Sequence, residues 1–131
     1  MTAKSQRIPV FLPRDETDAF DYIAAHTKPG EVVLSSFQTG NALPAWAGVR
    51  VVIGHGPESA GLTELIPLVQ EVYDPSIPDS ERLRLFDLWD VVYLFQGPQE
   101  AAMGDWDPNQ AGYLLREFQT GAYEVFRVLG R

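Results

Sequence analysis

Cysteine is absent from the 131-residue chain. That excludes disulfides, zinc–thiolate sites and a cysteine nucleophile, and leaves the redox compartment open. Histidine is scarce: only His26 and His55 are present. Positive charge is in deficit, with 10 Lys and Arg against 18 Asp and Glu for a net charge of −8. Such a surface repels nucleic acid and anionic lipid headgroups, so no nucleic-acid partner is expected. A membrane-spanning run is also missing. The uncharged stretch 32–49 is broken by Ser35, Ser36, Gln38, Thr39, Gly40, Asn41, Pro44 and Gly48, and reads as strand, loop and short helix rather than a span. Residues 1–6 are polar and lack the apolar stretch of a signal peptide. No internal repeat or low-complexity tract occurs. What remains is ordinary for a globular protein, 45% hydrophobic and 21% charged, and amounts to about one domain.

Patterning divides the chain into a polar lead-in, residues 1–11, and one domain, residues 12–131. Asp15 is a good N-cap for a first helix, with Ala19, Phe20, Ile23 and Ala24 recurring at helical spacing until Pro29 and Gly30 stop it. Residues 32–36 read as a buried strand. A turn over 37–41 and a short helix over 42–47 follow, with Pro44 acceptable in its first turn. Residues 51–53 read as a second buried strand. A helix to about Tyr73 carries Leu62, Leu65, Ile66 and Val69, with Pro67 warning of a kink. The next helix opens at Asp79 and turns Leu83, Leu85, Phe86 and Trp89 inward. Residues 91–95 form the strongest strand. The run 96–110, rich in Gly, Pro, Asp and Gln, reads as a loop with room for one helical turn. Two β-prone runs, 113–118 and 123–129, suggest a hairpin around Gly121.

Strands alternating with helices argue for an α/β fold. The expectation is a three-layer Rossmann-like sandwich on a mostly parallel sheet, with an antiparallel C-terminal hairpin at its edge. The expected core includes Phe20, Ile23, Leu34, Ile53, Leu65, Phe86, Leu94 and Val125, and the helical Trp46 and Trp89 are expected in the core as well.

Parallel topology gathers the carboxyl ends of the three parallel strands at one rim, where open α/β sheets bind ligands. Three loops fall there. They supply Thr39, Gly40 and Asn41; His55, Gly56 and Glu58; and Gln96, Gly97 and Glu100. Gly, Asn and Gln are also what turns are made of. The net charge favours a neutral polar ligand or a partner loop over a phosphate, and neither G-x-G-x-x-G nor the P-loop pattern occurs. His55 beside Glu58 is the obvious acid–base candidate, although a loop histidine more often bonds backbone; here it is expected to tie to the loop of Thr39 and Asn41. No histidine spacing suits a metal, and no cofactor is expected. Asp105 and Asp107 flank Trp106, an arrangement that suits either a sugar subsite or a solvated loop pinned by one Trp.

Three linked strings carry a resemblance. They are Thr39-Gly40-Asn41-Ala42-Leu43-Pro44-Ala45-Trp46-Ala47-Gly48 with the following Arg50 to Glu58 segment, Val91-Val92-Tyr93-Leu94-Phe95-Gln96-Gly97-Pro98-Gln99-Glu100, and Tyr123-Glu124-Val125-Phe126-Arg127-Val128. Over residues 12–128 the chain resembles the C-terminal soluble domain of bacterial polytopic membrane proteins of the GT-C glycosyltransferase group, the dolichyl-phosphate-mannose-protein mannosyltransferase-like kind. In that group a multi-span bundle holds the catalytic carboxylate and the lipid-linked sugar donor. The resemblance therefore implies a non-catalytic domain with no catalytic residue of its own, on the extracytoplasmic face of the cell membrane. Its implied partners are the transmembrane part of the parent protein and a glycan or lipid-linked sugar. The alternative is a small stand-alone α/β enzyme or polar-ligand binder that uses the rim.

Overall fold

The computed structural model describes residues 14–52 and 62–130. The elements run α1 (Arg14–His26), β1 (Val32–Leu34), α2 (Phe37–Ala47), β2 (Arg50–Val51), α3 (Leu62–Val72), α4 (Asp79–Trp89), β3 (Val91–Gln96), α5 (Pro98–Ala101), a 3-10 turn (Pro108–Gln110), β4 (Leu114–Thr120) and β5 (Tyr123–Val128). The sheet order is β2-β1-β3-β5-β4. As expected, the first three strands are parallel neighbours and the hairpin forms an edge.

The expectation of a mostly parallel sheet is corrected. Two of the four pairings are antiparallel, and they carry the longer ladders, while β1 and β2 are only three and two residues long. The sheet is mixed, because the hairpin strands, seven and six residues long, outrun the short β1 and β2. A two-residue turn joins them, with Thr120 opposite Tyr123. Gly121 takes the positive φ of 57° that such a turn needs at its first position.

Alternation along the strands sends side chains to two cores. Val32, Leu34, Leu94 and Phe126 pack with Val69, Val72, Leu85 and Phe86 of α3 and α4. Val33, Tyr93, Phe95 and Val125 pack with Ala19, Phe20, Ile23 and Leu43 of α1 and α2. Of the expected core, Phe20, Ile23, Leu34, Phe86, Leu94 and Val125 are buried, Leu65 is half-buried, and Ile53 lies outside the described residues.

Four local readings shift. Helix α2 starts at Phe37, so the expected turn is its first turn and Pro44 lies in its interior; Ser36 caps it, accepting from the Thr39 N–H at 3.2 Å. Helix α1 is already formed at Arg14, and Asp15 sits in its first turn, where it accepts from the Thr120 hydroxyl at 3.1 Å and so ties α1 to the hairpin. Trp46 is not core: it is 45% exposed. Its ring packs edge-on against Phe20 and its indole N–H donates to Asp21 at 2.8 Å, the usual half-wet use of a Trp. On α4, Leu83 is exposed and Arg82 takes a buried place instead.

Candidate functional site

The rim forms at the carboxyl ends of β1 and β3, and Glu100 is its centre. Gly97 caps α5, which places Glu100 in the first turn of that helix. The Glu100 side chain is fully buried. Its Oε2 accepts from the Ser36 N–H at 2.9 Å and from the Thr39 hydroxyl at 2.7 Å. The Ser36 hydroxyl donates to Thr39 Oγ1 at 3.2 Å. One carboxylate oxygen thus binds the start of α2 to the start of α5, joining the segments after β1 and β3.

Gly97 permits this closeness through its lack of a side chain. A Cβ there would stand 2.8 Å from the Tyr123 ring and 3.3 Å from Glu100 Oε1. Tyr73 closes the same end from the opposite face, donating from its hydroxyl to the Phe95 carbonyl at 2.9 Å. Burial, reinforced by the nearby Glu100 carboxylate, pushes the Tyr73 phenol well above its ordinary value. Two buried acceptors remain without a hydrogen-bond partner among the described residues, Glu100 Oε1 and Gln96 Oε1.

Of the expected site residues, Thr39, Gly40, Gln96, Gly97 and Glu100 are at this rim. Thr39 and Gly40 lie in the first turn of α2 rather than in a loop. Asn41 is on the same helix. His55, Gly56 and Glu58, and with them the expected tie from His55, lie outside the described residues. Sequence reading missed Ser36 as a cap, although Ser is among the residues preferred there. It also missed Glu16, which α1 brings to the rim from the other side.

Glu16 is buried, and its carboxyl is raised above the ordinary 4.5, first by burial and then by the Glu100 charge. A raised carboxyl means that the fold disfavours the charged form. The penalty is absent below the unfolded value and reaches its full size above the folded one. Glu16→Gln is therefore expected to raise the melting temperature at pH 7 by more than at pH 4. Thermal denaturation at both pH values checks this, and equal shifts would overturn it.

A second polar cluster lies on the α1 face, at the irregularity in β4 between Arg116 and Phe118. Glu117 accepts from Tyr22 at 2.7 Å, Tyr93 at 3.2 Å and Arg127 at 2.6 Å. Burial opposes the Glu117 charge, but these donors outweigh it and hold its carboxyl below the ordinary value. Burial and the bond to Glu117 push the Tyr22 phenol up to about 12. With every donor aimed at one carboxylate, the cluster is a brace.

The Asp105–Asp107 segment is a loop pinned by its Trp. The Trp106 ring lies under the Arg82 guanidinium, which stands 4.1 Å from the ring centroid, and the Trp106 backbone N–H donates to the Tyr73 carbonyl at 3.2 Å. Asp107 turns back on the backbone N–H of Asn109. Among the described residues, no group of three or more His, Asp or Glu side chains could hold a metal ion, and no helix is long and apolar enough to cross a membrane.

This fold occurs in a solved structure. The crystal structure of the C-terminal globular domain of oligosaccharyltransferase from Archaeoglobus fulgidus matches with a TM-score of 0.66, covering 91% of this chain and 99% of that domain. Sequence identity over the match is 11%, so the likeness is one of fold. No protein-family model and no curated protein sequence matches the chain.

Proposed function

We propose that this chain is the soluble, non-catalytic domain of a membrane glycosyltransferase of the GT-C kind, packing on the membrane bundle of its parent and assisting acceptor or glycan recognition. The observation that carries this reading is the nearly complete mutual coverage with the oligosaccharyltransferase domain. Both chains are used almost end to end, which favours an equivalent unit over a shared substructure. The resemblance of residues 39–58, 91–100 and 123–128 to soluble domains of bacterial GT-C proteins extends the proposal to a place on the extracytoplasmic face of a bacterial membrane. The rim residues Thr39, Gln96, Gly97 and Glu100 are themselves buried and hold this end of the sheet together, so the contact falls to the exposed side chains around them. Glu100 fixes two segments far apart in sequence, and the charge balance favours a neutral polar group there over a phosphate.

The test is made on the reading frame that contains the chain. Several membrane spans are expected upstream of residue 1. In membranes carrying the full protein, deletion of residues 12–131 is expected to lower glycan transfer at least tenfold. A reading frame without spans, or full transfer after the deletion, would overturn the proposal.

A further inference from the structure

The rim borders a cleft of about 500 Å³ on its α3 side, within the size range of small-ligand sites. Its walls come from three helices: Phe37 and Gln38 from α2, Ile66 and Gln70 from α3, and Gln99 from α5, with Met103 just beyond. Two properties set it apart. Among the described residues no charged side chain lines it, although 28 of the 131 residues are charged. Three glutamines, one from each helix, converge on it. All three are exposed, and their amides have no hydrogen-bond partner among the described residues. Phe37 and Met103 are half-buried and give it an apolar floor.

We infer that this cleft binds a neutral oligosaccharide. Each primary amide offers a donor pair and an acceptor side by side. Vicinal hydroxyls, which both donate and accept, match that arrangement, and the apolar face of a pyranose ring matches the Phe37 and Met103 floor. A phosphate or carboxylate finds no cation among the described lining residues, which disfavours charged ligands. The walls are preorganised, because Glu100 fixes the first turn of α2 against α5 and so sets Phe37 and Gln38 at a fixed distance from Gln99. The inference rests on the proposed place of the domain in a glycan-transferring enzyme and names the ligand class of its rim.

The test is a titration of this chain alone, by calorimetry and amide chemical shifts, with neutral trisaccharides (mannotriose, chitotriose and maltotriose) and an uncharged serine–threonine hexapeptide. Saturable binding of at least one trisaccharide is expected, with a dissociation constant below about 1 mM. Gln99→Ala and Gln70→Ala are expected to weaken it about tenfold each, the loss of one net hydrogen bond. Both positions are exposed, so the fold tolerates the changes. Gln110→Ala, in the separate cleft beside Trp106, is expected to leave binding unchanged. No saturation by any trisaccharide, binding insensitive to both cleft variants, or binding of the peptide alone would each overturn the inference. The deletion experiment above does not depend on this result, so a cleft that fails to bind sugar leaves the place of the domain in its parent standing.

Discussion

Glu100→Ala is expected to cost about 3 kcal/mol of folding stability, from two buried donors left without an acceptor at 1–3 kcal/mol each. The donors are the Ser36 N–H and the Thr39 hydroxyl, both in buried residues. Relief of the Glu16–Glu100 repulsion offsets part of the loss, since that repulsion is what helps raise the Glu16 carboxyl. Glu100→Gln keeps one acceptor oxygen in place and is expected to cost about half as much. The ranking of the two variants separates loss of the tie from loss of bulk. Urea titration of the three proteins measures it. A loss below about 1 kcal/mol in Glu100→Ala, or equal losses in the two variants, would show that the tie contributes little. The same variant also reaches the cleft: with the start of α2 released from α5, oligosaccharide binding is expected to weaken along with stability.

The residues that show this tie in sequence also show where sequence reading stops. A buried parallel strand followed by small and polar residues places Thr39, Gln96, Gly97 and Glu100 at one end of the sheet, by topology alone. The partner of Glu100 is not legible, because it depends on where α2 begins. Ser36 reads as the end of a strand when the apolar run is followed, and as a helix cap only when Thr39 is seen to need it. The strands themselves are legible from their continuous apolar character, and the hairpin from Gly121. The balance of the sheet is not, since strand length follows from tertiary pairing: β1 and β2 are cut short while β4 and β5 extend along the edge. Trp46 misleads because its helical spacing is that of a core residue, whereas its indole N–H is met by Asp21 at the surface. Glu117 escapes notice for a related reason. A charged residue at an irregular position of an edge strand reads as solvated, and only the fold brings Tyr22, Tyr93 and Arg127 around it.

Arg82→Ala is expected to be at least as damaging, at about 3 kcal/mol or more, because two backbone carbonyls lose their donor at about 1–3 kcal/mol each and the guanidinium leaves the Trp106 face. Sequence gives no sign of this. Asp79, Ser80, Glu81 and Arg82 together look like the solvated opening of a helix, yet Arg82 is only 2% exposed. Its guanidinium donates to the Val72 carbonyl at 2.7 Å, to the Asp74 carbonyl, and to Asp79 at 2.9 Å. The two carbonyls lie at and just past the end of α3, where a helix leaves acceptors unpaired. Arg82 therefore caps α3 from α4, and its planar face rests on Trp106, which the backbone ties to Tyr73. A single side chain thereby joins α3, α4 and the Trp106 loop. Lysine cannot replace it, because one ammonium cannot span three acceptors and lie flat on an indole. Arg82→Lys is thus expected to lose most of what Arg82→Ala loses. Asp79→Asn is expected to cost less than Arg82→Ala, since an amide oxygen still accepts from Arg82 and both carbonyl bonds stay in place. Denaturant titration checks the order, and Trp106 fluorescence reports release of the loop. An Arg82→Lys protein as stable as the parent would show that charge alone, and not the fork of donors, holds this corner together.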